Sequence, residues 1–76
     1  MKYTKESPIE SGYYWVKYTI SYIGIELELE EVVQITIKET GINEIWFFTC
    51  ECEDFLSVFI KMNQDAQWCK IEKPED

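Results

Sequence analysis

The stretch GYYWVKYTISYIGIELELEEVVQITIK, residues 12 to 38, decides the fold. Residues 12 to 20 are almost wholly aromatic and β-branched, the side chains that suit a pleated, half-buried surface. Alternation sets Tyr14, Val16, Tyr18 and Ile20 on one face and Tyr13, Trp15, Lys17 and Thr19 on the other. The first set reads as the core face, with Trp15 partly exposed. A turn is expected over Ser21 to Gly24. From Ile25 to Lys38 the period of two resumes, and Ile25, Leu27, Leu29, Val33, Ile35 and Ile37 share a face that only Glu31 interrupts. A run this long exceeds the common strand of about five or six residues. A bend or bulge near Glu30 and Glu31 is therefore expected.

Working outward, ETGIN at residues 39 to 43 carries Gly41 and reads as a turn into a hairpin partner, EIWFFTCEC. In that arm Trp46, Phe48, Cys50 and Cys52 point one way, and Ile45, Phe47, Thr49 and Glu51 the other. Residues 54 to 62 fit a short helix capped by Asp54, with Phe55, Phe59 and Met62 inward and Leu56 and Ile60 beside them. An alternating strand fits as well. The helical or irregular crossover is favoured, because a strand so soon after Cys52 needs a tight turn without glycine. QWCKIE near the end reads as a short strand, residues 1 to 11 as a lead-in and residues 73 to 76 as a tail.

This order predicts a mainly β domain, a small antiparallel barrel or strongly bent sheet, SH3-like in general form, with one short helix. An α+β sheet is the alternative. At 76 residues the chain holds a single domain. Its hydrophobic fraction of 46% is enough to build a core without metal or disulfide staples.

Fifteen acids face seven bases, all of them lysine, and the formal charge is −8. Such a chain repels a polyanion, so nucleic acid and anionic membrane surfaces are not expected as partners. A protein with a basic surface is. No apolar run approaches the roughly 20 residues that span a bilayer, and residues 1 to 10 do not read as a signal peptide. Three cysteines, an odd number, point to a reducing cytoplasm.

Cys50 and Cys52 raise the question of metal or thiol chemistry. On one strand they continue the face of Trp46 and Phe48, at the far limit of disulfide reach. Zinc sites favour wider cysteine spacing and a second ligand pair, while this chain has no histidine and only Cys69 besides. Burial as small hydrophobes is the expectation; a metal or redox module on Cys50, Cys52 and Cys69 is the alternative. Without histidine there is no ordinary Ser-His or Cys-His nucleophile pair, and no glycine-rich phosphate loop is present. No catalytic residue, metal ligand or cofactor is assigned, and the chain reads as a non-enzyme.

The patterned polar feature is the row Glu26, Glu28 and Glu30, whose carboxylates recur at about 6.6 Å along one strand face. That is close to two steps of the charge spacing in one strand of duplex DNA, so the row could act as a nucleic-acid mimic toward a basic groove. Glu51, Glu53 and Asp54 extend it if the hairpin pairs in register. The plain alternative is a solvated face whose like charges discourage edge-to-edge aggregation. Tyr13 and Trp15 are the aromatic candidates for a partner contact beside the acids.

Pro8, Gly12-Tyr13-Tyr14-Trp15-Val16, Trp68, Ile71 and Pro74 together resemble a pattern of small bacterial and phage-type hypothetical proteins, which begin G-[WY]-Y-W-V and finish W-x-x-I-x-x-P. The resemblance implies a small β-rich protein, often carried on mobile elements, and transfers no catalytic residue. The expected function is thus protein binding, as an accessory or inhibitory factor of a phage or mobile element. A structural or assembly subunit that self-associates through exposed Tyr and Trp is a further alternative.

Overall fold

The computed structural model describes residues 2–72. Strands β1 (Gly12–Tyr22) and β2 (Ile25–Thr36) form the long hairpin, followed by β3 (Glu44–Phe47), β4 (Cys52–Phe55), helix α1 (Leu56–Met62) and β5 (Gln67–Lys70). All pairings are antiparallel, and the five strands form one sheet in the order β4-β3-β2-β1-β5. The fold is mainly β with one short helix, as the alternation predicts. The sheet is open: β4 and β5 are its edges and do not meet.

Between Tyr22 and Ile25 the chain reverses in two residues, Ile23 and Gly24, both at positive φ (50° and 75°). That is the signature of a type I′ turn, whose twist matches the flanking strands. The β1–β2 register then runs without a break from Tyr22↔Ile25 to Gly12↔Ile35. The bulge expected near Glu30 and Glu31 is therefore absent, and β2 ends at Thr36. What interrupts the apolar series is a hydrogen-bonded carboxylate. Glu31 lies on the core face and accepts from the Tyr18 hydroxyl (2.8 Å) and the Thr49 hydroxyl (3.0 Å).

The core lies on the face of Tyr14, Val16, Val33 and Ile35, as the alternation predicts, joined by Ile45 from β3 and Trp68 from β5. Helix α1 covers it. Phe59 is the hub, with ring centroids 5.1 Å from Tyr18, 5.5 Å from Phe47 and 5.6 Å from Trp68. The helix buries Leu56 and Phe59, with Ile60 packed alongside, while Phe55 and Met62 are exposed. Phe55 is the N-cap residue. Asp54 belongs to β4, its carboxylate accepts from the adjacent Phe55 N–H (2.8 Å), and no side chain caps the helix N-terminus, so it does not act as the cap.

The lead-in is tied to the sheet. Thr4 exchanges two backbone hydrogen bonds with Trp68, the Ile37 N–H donates to Ser11 Oγ (2.9 Å), and the Tyr14 hydroxyl donates to the Glu10 carbonyl (2.8 Å). Pro74 and the tail at 73 to 76 lie outside the described residues.

Candidate functional site

The cysteine-bearing stretch differs most from expectation. β3 ends at Phe47, residues 48 to 51 turn, and β4 returns antiparallel, so Cys50 and Cys52 do not share a strand. The turn dispenses with glycine by placing Glu51 at φ 51°. Both cysteines are exposed, with Cα atoms 5.3 Å apart, and a disulfide joins them. The expectation of buried, unpaired thiols is corrected: a reversal shortens the distance that an extended strand would have kept open. Cys69, opposite Trp15 on β5, is a free thiol separated from the pair by the width of the sheet. The three sulfurs are not brought together.

The register places the five candidate contact residues on one face. Opposite Tyr13, Trp15, Lys17, Thr19 and Ser21 on β1 stand Gln34, Val32, Glu30, Glu28 and Glu26 on β2. This face is turned away from α1. Its lower half is aromatic: Tyr13 stacks on Phe48 at 5.9 Å, and Trp15 and Trp46 are half-buried. Its upper half is the acidic row. Glu26, Glu28 and Glu30 are all exposed. Glu53, level with Gln34 but two strands away, does not prolong the row, Asp54 points to the opposite face and Glu51 lies in the turn.

Lys17 stands at the junction of the two halves. Its Nζ lies 3.5 Å from a Glu28 carboxylate oxygen and 5.4 Å from the centre of the Tyr3 ring. Burial, then the neighbouring Glu30 carboxylate, pushes the Tyr3 hydroxyl up to about 12. Tyr3 comes from the lead-in and was not legible as a member of this face, because an isolated tyrosine in a polar segment carries no periodicity. On the core face, burial and Glu31 raise Tyr18 well above the ordinary tyrosine value.

Beyond Lys17 and Val32 the hairpin runs on without strand neighbours. β5 pairs with β1 only from Tyr14 to Lys17, and β3 pairs with β2 only from Val33 to Thr36. The remainder, Tyr18 to Glu31, is a two-stranded arm, in a molecule that extends 44 Å along its longest axis and 30 and 24 Å across. One face of the arm carries the glutamates; the other carries Ile20, Tyr22, Ile25 and Leu27, all exposed. Alternation alone assigned this second face to the core. Beyond Tyr18, whose ring meets Phe59 of α1, this face lies past the helix, and among the described residues no other element buries Ile20, Tyr22, Ile25 and Leu27.

The chain matches no protein-family model, and comparison with curated proteins and with solved structures gives no match. No helix among the described residues is long and apolar enough to cross a membrane.

Proposed function

We propose that this chain is a non-enzymatic protein-binding module and that the β1–β2 arm is its contact element. The observation that carries the reading is the arm itself, a ribbon standing clear of the sheet with glutamates on one face and large apolar side chains on the other. Ile23 at its tip adds support. A β-branched residue in the left-handed region costs roughly 1–2 kcal/mol, and Ile23 is 81% exposed, so burial among the described residues does little to offset that cost. Tyr13 and Trp15 lie at the foot of the acidic face, where an aromatic contact can add to a charged one. The absence of histidine from the sequence favours binding over acid–base catalysis.

The partner is a protein with a basic surface. Lys17, ion-paired inside the row, interrupts the uniform negative charge that a phosphate mimic presents, which favours ordinary protein contact over nucleic-acid mimicry. The proposed setting is that of an accessory or inhibitory factor of a phage or mobile element, which the terminal sequence pattern supports; the Cys50–Cys52 disulfide runs against the reducing cytoplasm that the odd cysteine number suggests.

Affinity capture from bacterial lysate tests the reading, with wild type beside the combined Glu26→Gln, Glu28→Gln, Glu30→Gln variant, at low and high salt. A protein retained by wild type and lost by the variant and by high salt is expected, since exposed charge contacts are screened within about 10 Å at 0.1 M salt. Identical retention by both forms at both salt concentrations overturns it.

A further inference from the structure

The arm has two edges, and they are not equivalent. On the β1 side the Thr19 N–H is taken by Asp65 Oδ2 at 3.1 Å, just beyond the Lys17↔Gln67 pair where β5 begins. That bond also fixes the orientation of the opposite edge. In an antiparallel ladder the two members of a non-hydrogen-bonded pair both turn their N–H and C=O outward. Thr19 faces Glu28, so Glu28 turns its own N–H and C=O to the outer edge of β2. By the two-residue period Glu26 and Glu30 do the same. No strand of the sheet pairs with this edge, because β3 leaves the lane beside β2 at Phe47 and turns away. The residues whose backbone is open are thus the ones whose carboxylates line the acidic face.

Resting on the module reading above, we propose that the outer edge of β2 accepts an extended segment of a partner protein as an added strand, in the lane that β3 vacates. The segment alternates lysine or arginine with a large apolar residue. Its cationic side chains stand beside Glu26, Glu28 and Glu30, and its apolar ones extend the stripe of Ile25, Leu27 and Leu29 on the other face. Main-chain hydrogen bonds supply affinity and the alternating faces supply selectivity, the usual division in strand addition. A second copy of this chain is the poorer occupant. Edge-to-edge pairing of two β2 strands sets glutamate row against glutamate row, in a protein whose formal charge is already −8. The same carboxylates that refuse self-pairing select a cationic strand.

The test uses the whole protein, the peptide Lys-Val-Lys-Ile-Lys-Val-Lys, the same peptide N-methylated at alternate residues, and a version with every lysine replaced by glutamate. Amide exchange is read by NMR. The alternating peptide is expected to slow exchange of the Glu26, Glu28 and Glu30 amides, and N-methylation, which leaves charge intact, to weaken binding by about tenfold or more through lost hydrogen bonds. The glutamate peptide is expected not to bind. Equal binding of the methylated peptide, absence of binding by the lysine peptide, or slowed exchange outside this edge overturns the proposal. So does slowing that grows with protein concentration alone, which assigns the edge to a second copy. If the capture experiment finds a charge-dependent partner while the peptide fails, strand addition falls and the module reading stands. If both fail, both fall.

Discussion

The lower and upper halves of the β1–β2 ribbon have the same alternation and opposite fates. Val16 and Val33 at the base are 0% exposed; Tyr22 and Ile25 near the tip, on the same face, are 64% and 61% exposed. The base is flanked by β3 and β5 and roofed by α1, whereas no strand pairs with either edge of the arm. Alternation therefore assigns a side chain to a face, but burial requires a neighbouring element to cover that face.

The largest expected effect contrasts the two halves directly. Phe59→Ala removes the hub of the core and costs about 3–5 kcal/mol, while Leu27→Ser on the arm costs within about 0.5 kcal/mol in urea unfolding. Comparable losses at both positions break the contrast. The next effect concerns pH. Tyr3 and Tyr18 hold their protons more tightly folded than unfolded, so the unfolded chain loses protons first as pH rises past the ordinary tyrosine value of about 10. Their contribution to stability is complete below about pH 10 and is lost above it, and Tyr3→Phe with Tyr18→Phe flattens that alkaline fall. Thermal melts across the alkaline range read it. A profile identical to wild type removes the two hydroxyls from the account.

A smaller effect sits at the β3–β4 turn. Cys50→Ser with Cys52→Ser costs less than about 2 kcal/mol, because so short a loop has little closure entropy to lose. The smallest change runs the other way. Ile23→Asn relieves the left-handed strain at the tip and stabilises by about 1 kcal/mol. Because the tip packs against nothing, no compensating loss is expected; a destabilised Ile23→Asn protein reveals a contact that the arm makes and sharpens the comparison against it.

Both long strands, their tight turn and the inner face of the base were legible in the sequence, since aromatic and β-branched residues at period two admit few other readings. The acidic row and its shared face with Tyr13 and Trp15 followed from the same period once the register was known. The course after Phe47 was not legible. Phe48, Thr49, Cys50, Glu51 and Cys52 keep a strand-like composition through a reversal with no glycine or proline to mark it, and only Glu51 in the left-handed region lets the chain double back. Burial of the arm is not legible in the sequence either: the coverage of a face depends on where distant elements end, and composition does not encode that locally.

Glu31 has a dynamic consequence. By holding the Tyr18 and Thr49 hydroxyls together on the inward face, it sets a fixed stop on the ribbon, with a dry zipper below and a loose one above. Fraying from Ile23 meets the Asp65 bond to Thr19 and then this clasp before it reaches the core, so amide exchange is expected to be fastest toward the tip and slowest beneath Glu31.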